Sequence, residues 1–362
     1  MARVPALVLA LLVAGVVAGC SGPAAEPSAA PSPAARPAVL AAPSPRPAGQ
    51  PAGDVTLAFA GDVHFAGRVA PRLQNHPRDV LGPIGAVLAR ADIGMVNFES
   101  AITERGTPEP KQFHFRAPPS ALTALAATGV DVVTMANNHG VDYGTVGLAD
   151  TLAAVRTSKL PVIGVGANAA QAYAPYLTTV RGTRVAIIAA SQISDRTAVA
   201  WTATTTRPGI ATAFEIDRLV AAVKAARTLA DVVVVYLHWG TEGQACPNPA
   251  QVTVARQLAA AGADAVVGTH AHLLLGAGWQ GRTYVAYGLG NFLWWRDDAY
   301  SNDTGVLTLR VRPHRVVSAV LTPARIDDGG VPLPVTGSEA ARILTKFRGL
   351  GGCSHLSPTP QG

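Results

Sequence analysis

Residues 231–240 read DVVVVYLHWG and residues 263–272 read ADAVVGTHAH, with a polar loop and an alanine-rich helical stretch between them. Each apolar, β-branched run has the length and composition of a strand buried on both faces. Each ends in histidine, at His238 and then at His270 and His272. Taken singly, any of these histidines is an ordinary loop or core residue. Ligands of α/β sheets, however, collect outside the carboxyl ends of such strands. Two neighbouring strands ending in imidazoles therefore predict one point of convergence, to which other strands must add acids and amides.

Working outward, residues 54–62 (DVTLAFAGD), 93–100 (IGMVNFES), 131–140 (DVVTMANNHG) and 161–166 (PVIGVG) read as strands. Helical segments at 83–92, 119–128, 143–157 and 214–229 separate them, and residues 176–191 read as a hairpin turning at Arg181-Gly182. Three strand-like runs follow His272 without helices between them, which predicts an antiparallel section. Early alternation and late hairpins argue for one α/β domain with a mixed sheet or two stacked sheets.

Several of these strands end in residues able to hold metal. The first gives Asp62 and His64, the second Asn97 and Glu99, the third Asn137, Asn138 and His139. Residues two apart just past a strand can point the same way. Each fragment is weak, and the recurrence is the signal. A two-metal centre needs a bridging oxygen and several nitrogen or oxygen ligands for each ion. Carboxylate, amide and imidazole without thiolate suit manganese, iron or zinc, and speak against a closed structural zinc.

The ends of the chain read differently. Of 362 residues, 49% are hydrophobic and 14% charged, but much of the apolar share is alanine. Arg3 precedes an apolar run, Val4 to Val17, too short to span a bilayer and shaped like a secretory signal. VAGC, ending at Cys20, looks like a lipobox, so residues 1–20 are expected to be a lipoprotein signal. A plain signal peptide cut elsewhere is the alternative. An acyl chain on Cys20 would hold the protein outside the cytoplasm, on the membrane without spanning it. Residues 21–53, rich in Pro and Ala, read as a linker. Residues 327–362 are expected to form a C-terminal helix and a loose tail. The net charge of +6 carries no dense basic block, so no nucleic-acid partner is expected. Cys246 and Cys353 read as a disulfide, the commoner fate of such a pair in an exported chain.

The order D-x-H, Asn/Glu strand end, N-H, His and H-x-H resembles the calcineurin-like metallophosphoesterases. More closely, GDVHFAGR, NFESAIT, FRAPP, ANNHGVDYG, HWGTE, AGADAVVGTHAH and YGLGNFLW resemble the CapA family of capsule and poly-γ-glutamate biosynthesis proteins. The likeness covers residues 54–326 and implies a four-layer α/β-β/α sandwich. By position it implies that Asp62, His64 and His272 hold one divalent ion and Asn138, His238 and His270 a second, with Glu99 bridging. His139 would protonate a leaving group or steady a phosphate. Arg68 and Arg116 would reach an anionic substrate, or else serve as surface charge or structural ion pairs. Asn97 and Asn291 would brace loops through backbone bonds rather than bind metal, Asp142 orient a histidine, and Trp239, Trp294 and Trp295 wall the cleft or pack in the core. The implied function is hydrolysis of a phosphoester or a polymer amide in making an anionic exopolymer, beside membrane synthase subunits. A non-catalytic polyanion-binding subunit and an extracellular phosphatase or nucleotidase are the alternatives.

Overall fold

The structure, a computed structural model, describes residues 53–361. The expected signal, Cys20 and all but the last residue of the linker lie outside them. Among the described residues no helix is long and apolar enough to cross a membrane.

Two sheets form the body. Strands β1 (Val55–Val63), β2 (Ile93–Phe98), β3 (Val132–Thr134) and β4 (Val162–Ile163) are parallel neighbours in the first sheet. Strands β5 (Tyr176–Val180), β6 (Thr183–Ser191), β7 (Val232–Trp239), β8 (Ala265–His270), β9 (Ala277–Gln280) and β10 (Thr283–Ala286) make the second, in the order β9-β10-β8-β7-β6-β5. Strand β11 (Asn291–Leu293) returns to the first sheet parallel to β1. Strands β12 (Asp303–Arg312), β13 (Arg315–Ile326) and β14 (Pro332–Pro334) extend that sheet antiparallel from the edge of β1 opposite β2, the edge that β11 also joins. The β5–β6 hairpin turns at Arg181 and Gly182, both at positive φ, as a two-residue hairpin requires.

The alternation of side chains explains the layers. In β7, Val232, Val234 and Tyr236 join Val55, Leu57 and Phe59 of β1 in a core between the sheets. Val233, Val235 and Leu237 point the other way, onto helices α5 (Ile216–Leu229) and α6 (Pro249–Ala261). Ala58 and Ala60 of β1 likewise face away from that core, toward α1 (Gly85–Arg90), α2 (Ser120–Ala127) and α3 (Gly144–Thr157). Each such buried valine or leucine contributes about 1.5–3 kcal/mol, and strands buried on both faces hold no other position. The result is the expected four-layer α/β-β/α sandwich.

Two expectations need correction. The run at 282–292 is antiparallel only in part. It divides into β10, antiparallel to β9 but parallel to β8 in the second sheet, and β11, parallel to β1 in the first. The crossing between them runs so close to β1 that a Cβ on Gly61 would lie 1.8 Å from the Gly290 carbonyl oxygen. The C-terminal helix expected within 327–362 is present as α7 (Gly337–Gly349), with β14 before it and Ile343 buried in the core between the sheets, but the tail after it is not loose. Beyond them Trp279 and Ser357 exchange both backbone hydrogen bonds, Gln361 N donates to Gly281 O, and Cys353 is bonded to Cys246. The disulfide is the one expected from the sequence, whereas the backbone contacts join segments remote in sequence, of which local composition carries no trace.

Candidate metal centre

The carboxyl ends of the parallel strands of both sheets meet at one place. Asp62 ends β1, Asn97 and Glu99 close β2, and the loop after β3 carries Asn137, Asn138 and His139. From the second sheet come His238 at the end of β7, paired in register beside Thr269 of β8, then His270 and His272. Every one of these side chains except that of His272 is buried.

Their centre is the Nε2 atom of His238. It lies 2.8 Å from Asn138 Oδ1, 3.2 Å from Glu99 Oε1 and 3.0 Å from His270 Nδ1. An imidazole N–H serves one acceptor well, and here it faces an amide oxygen, a carboxylate and a second imidazole. Glu99 Oε2 and both ring nitrogens of His64 are buried with no hydrogen-bond partner. Such groups are costly to bury unpaired. A divalent cation satisfies an excess of lone pairs that one proton cannot, so the donor set fits metal. Oxygen and imidazole donors together match manganese, iron or zinc.

Asp62 lies between two sides of this pocket. Its Oδ1 accepts from Asn97 Nδ2 (2.7 Å) and its Oδ2 from the His270 backbone N–H (3.1 Å), while His272 Nδ1 lies 3.7 Å from Oδ2. His64 stacks on Phe115, ring centres 4.4 Å apart, and Trp294 packs against both His64 and His272. Two clusters of ligand atoms emerge. Glu99, His238 and His270 form one, Glu242, His270 and His272 the other. The residue common to both is His270, whereas the resemblance put Glu99 in the shared place. Glu242 was not singled out from the sequence, although it closes the motif HWGTE. It sits on an irregular loop, and only its neighbours in space give it meaning.

The electrostatics follow from burial and from the carboxylates. Burial opposes a charge on His238, yet Glu99 and Asp62 hold its pKa up to about 9. His272 is raised against burial by Asp62 and Glu99. Burial pushes His64 and His270 well below the ordinary histidine range, helped by the charge of His139 at His64 and of His238 at His270. Burial also opposes the charge on Asp62, but His238 and His272 hold its carboxyl well below the usual range.

His139 has its own support. Its Nδ1 contacts Asp142 Oδ2 at 2.6 Å, and its Nε2 lies 4.0 Å from Glu99 Oε1. Asp142 also accepts the Phe115 backbone N–H and pairs with Lys111, whose ammonium is 2.5 Å from Asp142 Oδ1. The same ammonium donates to the Asn138 carbonyl, which also accepts from Thr197 Oγ1 at 2.6 Å. Lys111, in an aperiodic loop, gave no signal in the sequence.

The two arginines are not brought to the centre. Arg68 donates to the backbone carbonyls of Trp294, Arg296 and Asp328, which ties the cleft wall together and leaves no free fork for a substrate. Arg116 lies over the Tyr143 ring at 4.7 Å. Asn97 and Asn291 do not brace loop backbone as expected; their side chains bond the site residues Asp62 and His272 instead. Trp294 and Trp295 belong to the aromatic wall, while Trp239 is core, donating to Tyr287 O.

The chain is similar to known proteins over most of this framework. Capsule biosynthesis protein CapA of Bacillus anthracis is 28% identical over 305 residues, 81% of this chain and 73% of that protein. A probable polyglutamine synthesis accessory protein of Mycobacterium tuberculosis is 32% identical over 226 residues, 59% of each chain. Among solved structures, the sulfate thiohydrolase SoxB of Thermus thermophilus aligns with 83% of this chain and 60% of its own, at 16% identity and a TM-score of 0.44. Residues 56–294 match the family described as bacterial capsule synthesis protein PGA_cap. The match spans well over half of the chain, including every residue of the metal-fitting pocket, and the chain belongs to that family.

Proposed function

We propose that this chain is a lipid-anchored, extracytoplasmic protein of capsule or poly-γ-glutamate-like exopolymer biosynthesis whose centre is a dimetal hydrolase. The observation that carries the chemical part is the crowding of Asn138, Glu99 and His270 around one nitrogen of His238. Bound there, two divalent cations would make water nucleophilic near neutral pH and offset charge on the oxygen under attack. The protein's own residues do the rest. His139, held at Nδ1 by Asp142, presents Nε2 toward the centre and can carry a proton to a departing oxygen or nitrogen. Phe115, Trp294 and Trp295 keep bulk water from the His64 side. Anchoring rests on the VAGC motif at Cys20.

A second reading is supported by the relative named as an accessory protein. In it the cleft holds a polyanion for a membrane synthase and performs no turnover. The separating experiment offers phosphoesters and poly-glutamyl chains to the metal-loaded protein and to His139→Ala, and tests both in a polymer-deficient strain. The hydrolase reading expects turnover that His139→Ala abolishes without loss of metal, and failed complementation. Complementation by His139→Ala would favour the accessory reading, and turnover of small phosphoesters without a polymer phenotype a scavenging phosphatase.

A further inference from the structure

Glu242 follows the glycine turn that leaves β7. Gly240 and Gly243 hold φ of +103° and +73°, and Gly243 N donates to Ala271 O at 3.0 Å. That bond fixes the turn to the residue between His270 and His272. Both histidines hold positive φ, 90° and 59°, a backbone region that residues with a Cβ rarely adopt. The carboxylate of Glu242 and the rings of His270 and His272 place their ligand atoms within 4.8 Å of one another.

The spacing is informative. Glu242 Oε1 lies 3.8 Å from His272 Nε2, too far for a hydrogen bond. Two ligands with bonds of about 2.1 Å to one cation can stand up to about 4.2 Å apart. The proton pattern agrees. Ser301 Oγ donates to Asp298 O, and Asn291 Nδ2 donates to Ser301 Oγ. Asn291 Oδ1 is therefore an acceptor, and it receives the proton of His272 Nδ1 at 2.9 Å. In the neutral ring this leaves the lone pair on Nε2, and that lone pair faces a carboxylate. A cation held between them would take both lone pairs, and a separation of 3.8 Å leaves room for it.

The geometry points to Glu242 as a ligand of the cation held by His272, closing that site from the solvent side. The assignment rests on the dimetal reading above and goes beyond it by making the two sites unequal. The inner one, around His238, is walled by buried groups, whereas the outer one ends in an exposed acid that can swing away.

Calorimetric titration of the chelator-stripped, full-length chain with manganese or zinc tests this. The wild type is expected to show two binding events. Glu242→Gln should keep the tighter one and weaken the other by about tenfold or more, the cost typical of disturbing a metal's surroundings. Glu242→Asp should recover part of that loss, and Asp217→Asn, an exposed acid on α5, should change neither event. Melting temperatures of the metal-free proteins check that the loop change has not cost the fold. Two events of unchanged affinity in Glu242→Gln would assign Glu242 to an ion pair with a protonated His272 and overturn the proposal. No event in the wild type would remove the dimetal reading itself, and this assignment with it.

Discussion

His238 Nε2 lies 2.8 Å from Asn138 Oδ1, although one residue ends a strand of the second sheet and the other follows a strand of the first. That contact joins the two halves of the sandwich at the one end where both sets of parallel strands finish. The centre is therefore as rigid as the packing between the sheets, and the weaker supports around it are where substitutions should separate roles.

Lys111 is one such support. Its ammonium binds both the acid that orients His139 and the carbonyl of Asn138. Lys111→Met should lower turnover by about 10–100-fold, as loss of a supporting partner typically does, with metal content preserved. The change should fall on kcat rather than KM. In nitrogen-15 histidine spectra of zinc-loaded protein, the Nδ1–H signal of His139 should broaden or move in the variant. An unchanged signal and unchanged kcat would reduce Lys111 to a structural ion pair.

The bond between Cys246 and Cys353 closes a sequence separation of 107 residues and joins the loop carrying Glu242 to the tail. Constraint of the unfolded chain by such a bond is worth about 2–4 kcal/mol. Reduction, or Cys353→Ser, should lower the melting temperature by several degrees and increase proteolysis near Ser357. Equal melting with and without reductant would contradict this.

Asp303, near-buried, pairs with Arg342 at 3.0 Å and with Lys346 at 2.8 Å, fastening α7 to β12. Burial opposes its charge, but those two cations hold its carboxyl below the usual value. A carboxyl depressed on folding adds stability that is complete above the unfolded value, about 3.9, and is lost as pH falls through the folded one. Asp303→Asn should therefore cost about 1–3 kcal/mol at neutral pH. The gap to the wild type should narrow below about pH 4. A gap independent of pH in urea unfolding would contradict the assignment.

Much of this architecture was legible in the chain. The run 232–237 alternates its two buried faces as a doubly covered strand must, and acids and imidazoles recur at strand ends, where sheet geometry gathers them. The separation of β10 from β11 was not legible, because a strand carries no mark of which sheet it joins. Arg68 was legible as a fork but not as one spent on three carbonyls. Lys111 and Glu242 lie on loops without periodicity, so their roles arise only from what folding brings beside them.

Elemental analysis of the purified full-length chain after manganese or zinc supplementation tests the central claim most directly. Two divalent ions per chain are expected, with loss of at least one in His238→Ala. A wild-type protein that carries none, with His238 and Asn138 still folded against each other, would contradict it.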